Sequence, residues 1–148
     1  MKATQRDFRQ NAARAARECR VFFFCGPDEA GASAAAASVT ALLAEAGERV
    51  ELSGAELRGD HVRLRHEARP SSLFGDRRHI YVRANGDDAH DAVRILLEAI
   101  DAGEAEGAWP VLIVATSATD KSRTAKLLEK RADALVAMFY PPDVKDVI

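Results

Sequence analysis

Residues 22–33 read FFFCGPDEAGAS, and the fold turns on how this stretch is parsed. With Val21 in front, it begins as an apolar run without alternation, the pattern of a strand buried on both faces. Gly26 and Gly31 then fall at the G-x-x-x-x-G spacing of a phosphate-binding loop, with Ser33 in the slot of its metal-holding hydroxyl and Ala32 in the slot of its lysine. Such a loop works by aiming backbone N–H groups and a helix N-terminus at a phosphate while the lysine neutralises the β and γ charges. Ala32 removes that cation, and Asp28 and Glu29 put two anions into the turn. At an effective dielectric of about 20, one charge pair at about 4 Å is worth roughly 4 kcal/mol, so exchanging attraction for repulsion defeats nucleotide binding. Gly26, Gly31, Ala32 and Ser33 are therefore expected to mark a degenerate nucleotide loop that keeps the spacing and binds no phosphate.

Upstream of the stretch, Thr4 with Asp7 resembles a capping pair, and Phe8, Ala12, Ala15, Ala16 and Cys19 recur at helical spacing, which predicts a helix over 4–19. Downstream, the Ala-rich run from Asp28 through Val39, Leu42 and Leu43 predicts a helix stopped by Gly47, followed by a short strand from Arg49 to Ser53. A weaker helix is expected from Asp60 to about Ala68, broken at Pro70, and a third strand from Arg78 to Arg83. Asp87 or Asp88 is expected to cap a helix with the stripe Ala89, Ala92, Val93, Leu96, Leu97 and Ile100, closed by Gly103. Val111–Ala115 reads as a second fully buried strand, Lys121 to about Arg131 as a helix, and Ala134–Tyr140 as the fifth strand. Strands alternating with helices, most of them apolar throughout, imply right-handed crossovers and a sheet covered on both faces. The expected fold is α/β, a three-layer sandwich with a five-stranded parallel sheet over residues 1–140. Residues 141–148 read as the start of a linker or helix leading to a following domain.

At 148 residues the chain fits one domain with a proper core. No run approaches the roughly 18 to 20 apolar residues of a membrane span, and the Arg-rich N-terminus lacks a signal peptide's apolar stretch. A soluble, cytoplasmic protein with no membrane partner is expected. Cys19 and Cys25 form neither a C-x-x-C pair nor a disulfide framework, and the four His show no metal-ligand spacing, so no cofactor and no metal are expected. The net charge of −2 hides three blocks. Residues 1–20 carry six Lys or Arg against two acids, residues 58–83 seven Arg against three acids, and residues 84–108 seven acids against Arg94. Such blocks fit separate faces for separate partners, or simply solvated faces.

Catalysis finds little footing. Phosphoryl-transfer ATPases hold their metal with an acid at the end of a neighbouring strand, and the strand through Tyr81 and Val82 passes Arg83, Ala84 and Asn85 without one. Asp87 and Asp88 beyond it look like helix caps. His61, His66, His79 and His90 have no local nucleophile and read as surface or strand-edge residues, Cys25 as core filler, and Thr116, Ser117 and Thr119 as turn residues. No catalytic residue is expected.

One pair sits apart. In PSSLFGDRR, residues 70–78, Leu73 and Phe74 stand side by side outside every periodic element. Neighbours point in different directions on a helix or strand, so only a turn can present them jointly. They read either as an exposed anchor or as a loop tucked into the core of a plain α/β interaction module.

The stretches FFFCGPDE, SSLFGDRRHIYVR, VLIVATSATDKSRTAKLLEKR and FYPPD, in this order, resemble the N-terminal domain of the delta-subunit family of bacterial DNA polymerase III clamp loaders, across almost the whole chain. The resemblance implies an AAA+-like, P-loop-NTPase-like domain without ATPase chemistry. It also implies that the domain opens the ring-shaped β sliding clamp during DNA replication by seating Leu73 and Phe74 in a clamp pocket, with Ser72 and Arg77 as neighbouring contacts. Full burial of the pair contributes on the order of 1.5–3 kcal/mol each, which anchors a complex, whereas opening the ring needs contacts that favour the open state. Further implied partners are the gamma/tau and delta prime subunits, mainly through later domains, and DNA within the full complex. The alternative from the residues alone is a divergent P-loop-like nucleotide-binding or kinase-like domain.

Overall fold

The computed structural model describes residues 1–43, 46–69, 77–104 and 108–141. In chain order these form β1 (Lys2–Ala3), α1 (Phe8–Glu18), β2 (Val21–Cys25), α2 (Glu29–Leu42), β3 (Glu48–Ser53), α3 (Gly54–Gly59), α4 (Arg63–Ala68), β4 (Arg78–Asn85), α5 (His90–Asp101), β5 (Val111–Thr116), α6 (Arg123–Glu129) and β6 (Ala134–Met138). All strands are parallel, in the order β1-β6-β2-β5-β4-β3. The sheet therefore has six strands rather than the expected five. The added strand is β1, whose Lys2 and Ala3 pair with Val136 and Ala137 of β6, and which is held further by the Met1 amino group donating to the carbonyls of Glu129 and Arg131.

The expected strand at 21–25 is fully buried, and its side chains divide between two cores as period-two geometry requires. Phe22 and Phe24 face a layer made by α1 and α2, through Phe8, Ala12, Ala15, Ala32, Ala36 and Val39. Val21, Phe23 and Cys25 face the opposite layer, where α3 to α6 contribute Leu57, Leu64, Leu96, Ala125 and Leu128. The three-layer α/β sandwich is thus observed. Phe8 packs edge-on against Phe24 and Phe139, with centroids at 6.0 and 5.5 Å.

Several boundaries differ from expectation for local reasons. The first helix starts at Phe8, because Thr4 accepts the Asp7 N–H within a preceding turn and Asp7 makes no side-chain cap of its own. The helix expected at 60–68 is α4, which starts at Arg63, and a short helix outside that range, α3, precedes it. Ser53 caps α3 by accepting the Glu56 N–H at 3.0 Å while its hydroxyl reaches the Glu56 carboxylate, and α4 follows after a turn. His79 is buried rather than exposed at a strand edge; its Nδ1 lies 2.9 Å from the carbonyl of Ala46, which makes that nitrogen the donor.

Candidate functional site

In open α/β sheets ligand sites form beyond the carboxyl ends of the strands, and the turn after β2 lies there. Gly26 has φ +107°, and a side chain at that position would fall on the backbone of Phe139, so only glycine fits. The N–H groups that a phosphate cradle would offer are largely engaged by the chain itself. Gly26 N–H donates to Ala118 O at 2.9 Å, Asp28 N–H to Phe139 O at 3.2 Å and Ala32 N–H to Asp28 O at 3.0 Å. The Asp28 carboxylate accepts the Gly31 N–H at 3.0 Å and caps α2. A Cβ on Gly31 would displace that carboxylate. The helix N-terminus that would attract a phosphate already holds an anion from its own turn. Ala32, in the lysine slot, is 1% exposed and packs in the α1/α2-side core, whereas Ser33 is exposed.

Two clefts flank the strand ends. One, of about 450 Å³, is lined by Glu29 and Ser33 of α2, Ser53, Tyr81, Arg83, Asn85 and Thr116 among others. Over Tyr81, one of its lining residues, the Arg49 guanidinium lies 3.9 Å from the ring centre and that of Arg83 5.4 Å, with the Glu51 carboxylate 3.8 and 3.9 Å from the two cations. Sequence reading missed this cluster, although Tyr81 and Arg83 alternate onto one face and β3 places Glu51 beside Tyr81. The second cleft, of about 410 Å³, is lined by Arg58, His61, Asn85, Asp87, Asp88, Asp91 and Arg123.

The acids beyond β4 do not serve α5 as expected. α5 starts at His90 with Ala89 as an N-cap that makes no side-chain bond. The Asp87 carboxylate instead reaches α6, accepting from Thr124 N–H at 3.1 Å, Thr124 Oγ1 at 2.8 Å and Arg123 N–H at 3.4 Å. Burial alone would push this carboxyl up, but those bonds outweigh it and hold the carboxyl below its ordinary value. Asp88 accepts the Asn85 N–H at 3.1 Å. Burial lowers His90, with Arg123 nearby adding to the effect. Thr116 Oγ1 donates to Ala84 O, Thr119 accepts the Lys121 N–H and Ser117 takes φ +56°, as turn residues do. Among the described residues no group of three or more His, Cys, Asp or Glu is placed to hold a metal ion.

No family model and no curated protein sequence matches the chain. A solved structure of Thermotoga maritima RuvB, an AAA+ ATPase, superposes with a TM-score of 0.55 at 12% identity, over 97% of this chain and 47% of that one. The fold is AAA+-like. The chain thus spans about half the length of this neighbour, and at such identity the likeness speaks for the fold alone. No helix among the described residues is long and apolar enough to cross a membrane. Of the residues expected to touch a clamp, Ser72, Leu73 and Phe74 lie outside the described residues, and Arg77 is exposed just before β4.

Proposed function

We propose that this AAA+-like chain is a non-catalytic clamp-loader domain, that of the delta subunit of a bacterial DNA polymerase III, which binds and opens the β sliding clamp through Leu73 and Phe74. The observation that carries the non-catalytic half is the Asp28 carboxylate on the Gly31 N–H, which fills the place a phosphate would take. With Ala32 buried and no carboxylate on β4 up to Asn85, the cation and the metal-holding acid of phosphoryl transfer are both lacking there. The clamp half rests on the resemblance of SSLFGDRRHIYVR. Ser72 and Arg77 border the anchor, and Arg77 with Arg69 gives a basic rim that speeds encounter with an acidic clamp surface more than it adds affinity. Gamma/tau and delta prime subunits are further partners in a cytoplasmic replisome.

The test is surface-immobilised β clamp titrated with the full chain. Saturable binding that is lost in the Leu73→Ala/Phe74→Ala double variant, with the melting temperature kept, supports the reading. Unchanged binding by the double variant, or none by the parent, rejects it. The alternative, a divergent P-loop-like nucleotide-binding domain, draws on the cleft beside Ser33 and Thr116. Micromolar binding of Mg-ATP in calorimetry, abolished by a bulky residue at Gly31, would favour it.

A further inference from the structure

The cleft of about 450 Å³ at the strand ends holds polar groups that the chain itself leaves unused. Tyr81, Arg83 and Asn85, which share a face of β4 by period-two geometry, line it together with Glu29 and Ser33, one turn apart on α2. Tyr81 is only 4% exposed, with the Arg49 guanidinium laid over its ring, and its hydroxyl makes no hydrogen bond with any described residue. A buried tyrosine ordinarily satisfies that group. The hydroxyl is not sealed within the core either, so it opens into the cleft that the side chain lines.

The charges of the lining add an independent observation. The acid that Arg83 meets, Glu51, stands 3.9 Å from its guanidinium, too far for a hydrogen bond, so the fork remains open to a carboxylate. Glu29 has no ion pair and no hydrogen bond among the described residues. Asp88 has no ion pair there either; one of its oxygens accepts the Asn85 N–H at 3.1 Å, and the other is unused. Its position is fixed against Gly54, where a Cβ would fall on the Asp88 carboxylate. Two unpaired carboxylates thus share the cleft with one guanidinium, and such a lining favours a ligand with one more positive charge than negative. It repels phosphates, and among the described residues no group of three or more His, Cys, Asp or Glu is placed to hold a metal ion, so an organic cation fits best.

We propose that this cleft binds a free basic α-amino acid, lysine or arginine. Its carboxylate lies on the Arg83 guanidinium and the Tyr81 hydroxyl, and its two cationic groups lie on Glu29 and Asp88. The cleft is within the size range of small-molecule sites, about 300–1,000 Å³, which leaves room for the long side chain. The proposal uses none of residues 70–78 and is measured without a clamp, so it stands or falls apart from the clamp reading. It also differs from the nucleotide alternative, which needs an anion where this cleft presents acids.

The experiment is calorimetric titration of the full chain with L-lysine and with L-arginine at low salt. Saturable binding at one site is expected for at least one of them, with Kd below about 1 mM. Tyr81→Phe should weaken it at least fivefold and keep the melting temperature, because the hydroxyl removed holds no protein partner. Arg83→Gln should weaken it at least tenfold, and Glu29→Gln at least threefold. Asp91→Asn, in the neighbouring cleft, should leave binding within twofold. Lysinamide, which lacks the carboxylate, and Nα-acetyl-lysine, which lacks one cation, should each bind at least fivefold more weakly than lysine. No saturation by about 10 mM of either amino acid, unchanged affinity in Tyr81→Phe, equal binding of lysinamide, or displacement of the amino acid by Mg-ATP would each overturn the proposal.

Discussion

The carboxylate of Asp28 and the backbone N–H of Gly31 meet at 3.0 Å, so α2 begins on an anion supplied by its own turn. The two residues are also sterically matched, since a Cβ on Gly31 would lie on that carboxylate. What looks in sequence like a phosphate loop missing one residue is in three dimensions a closed capping motif.

That match makes Gly31 and Asp28 non-additive. Asp28→Ala should cost about 1 kcal/mol, the usual worth of an N-cap, and Gly31→Ala about 1–2 kcal/mol because it evicts the same cap. In the Asp28→Ala background the Gly31→Ala cost should largely vanish, as it does when two changes remove one interaction. Gly26→Ala should cost at least about 2 kcal/mol in either background, since positive φ and the Phe139 backbone oppose it together. Urea unfolding of the five variants measures all of this. Ala32→Lys should restore no Mg-ATP binding in calorimetry, because the buried position leads into the core and the cap remains in place.

Asp87 should act on α6 rather than on α5. Asp87→Ala should lower stability by about 1–2 kcal/mol at neutral pH, the worth of charged hydrogen bonds discounted for partial exposure. The native carboxyl sits below its ordinary 3.8, so its contribution is complete above that value and is lost as the pH falls through the lower native value. The stability gap between parent and variant should therefore hold above about pH 4 and close below it. His90 acts in a different window. Held below its ordinary 6.5 by burial, it stays neutral in the fold while the unfolded chain takes up a proton, so stability falls as the pH drops through 6.5. His90→Gln should flatten that slope in melting curves between pH 5 and 7.

The parts that sequence reading finds are those whose signal is local and long enough to repeat. Val21–Cys25, Val111–Thr116 and the α5 stripe show their burial in their own composition. β1 does not, because two residues have no period and its partner β6 lies more than a hundred residues away. α3 was within reach, since Ser53 with Glu56 is a capping box, but six residues make too short a stripe to draw notice. The Asp87 contact was out of reach, because a carboxylate's sequence neighbours say nothing of a helix 36 residues further on. The same holds for Asp28: charge alone argued against phosphate, and only coordinates show that the chain's own carboxylate occupies the helix end.

Both thiols should be inert in the folded chain. Cys19 and Cys25 are buried, and burial raises them to about 11 and about 12. At pH 8 neither should react with a chromogenic disulfide on the timescale of a free thiol, and both should react once urea unfolds the chain. Rapid native labelling at either position would contradict the packing of β2 against β6, where Cys25 Sγ lies 3.7 Å from Ala137 O.

Arg131 ties three parts of the fold together, and the shape of its side chain should matter as much as its charge. Its guanidinium makes two bonds of 2.9 Å to Asp101 at the end of α5 and bonds of 2.8 and 2.9 Å to Asp133 before β6. Its carbonyl accepts the Met1 amino group at 2.6 Å, beside β1. A planar fork satisfies two carboxylates at once, whereas an ammonium is a point donor on a flexible stem. Arg131→Lys should therefore lower the melting temperature measurably despite keeping the charge, and Arg131→Ala should lower it further. Asp101→Ala should have the smallest effect of the three, because that carboxylate is mostly exposed and Arg131 keeps Asp133. Acid should narrow the gap between the parent and Asp101→Ala, since the Arg131 bond holds the Asp101 carboxyl below its ordinary value and its contribution is lost as the pH falls through that lowered value. Melting curves of the parent and the three variants at pH 7 and pH 3 test the order. Equal melting temperatures for Arg131→Lys and the parent at pH 7 would show that charge alone suffices and that the fork geometry contributes nothing.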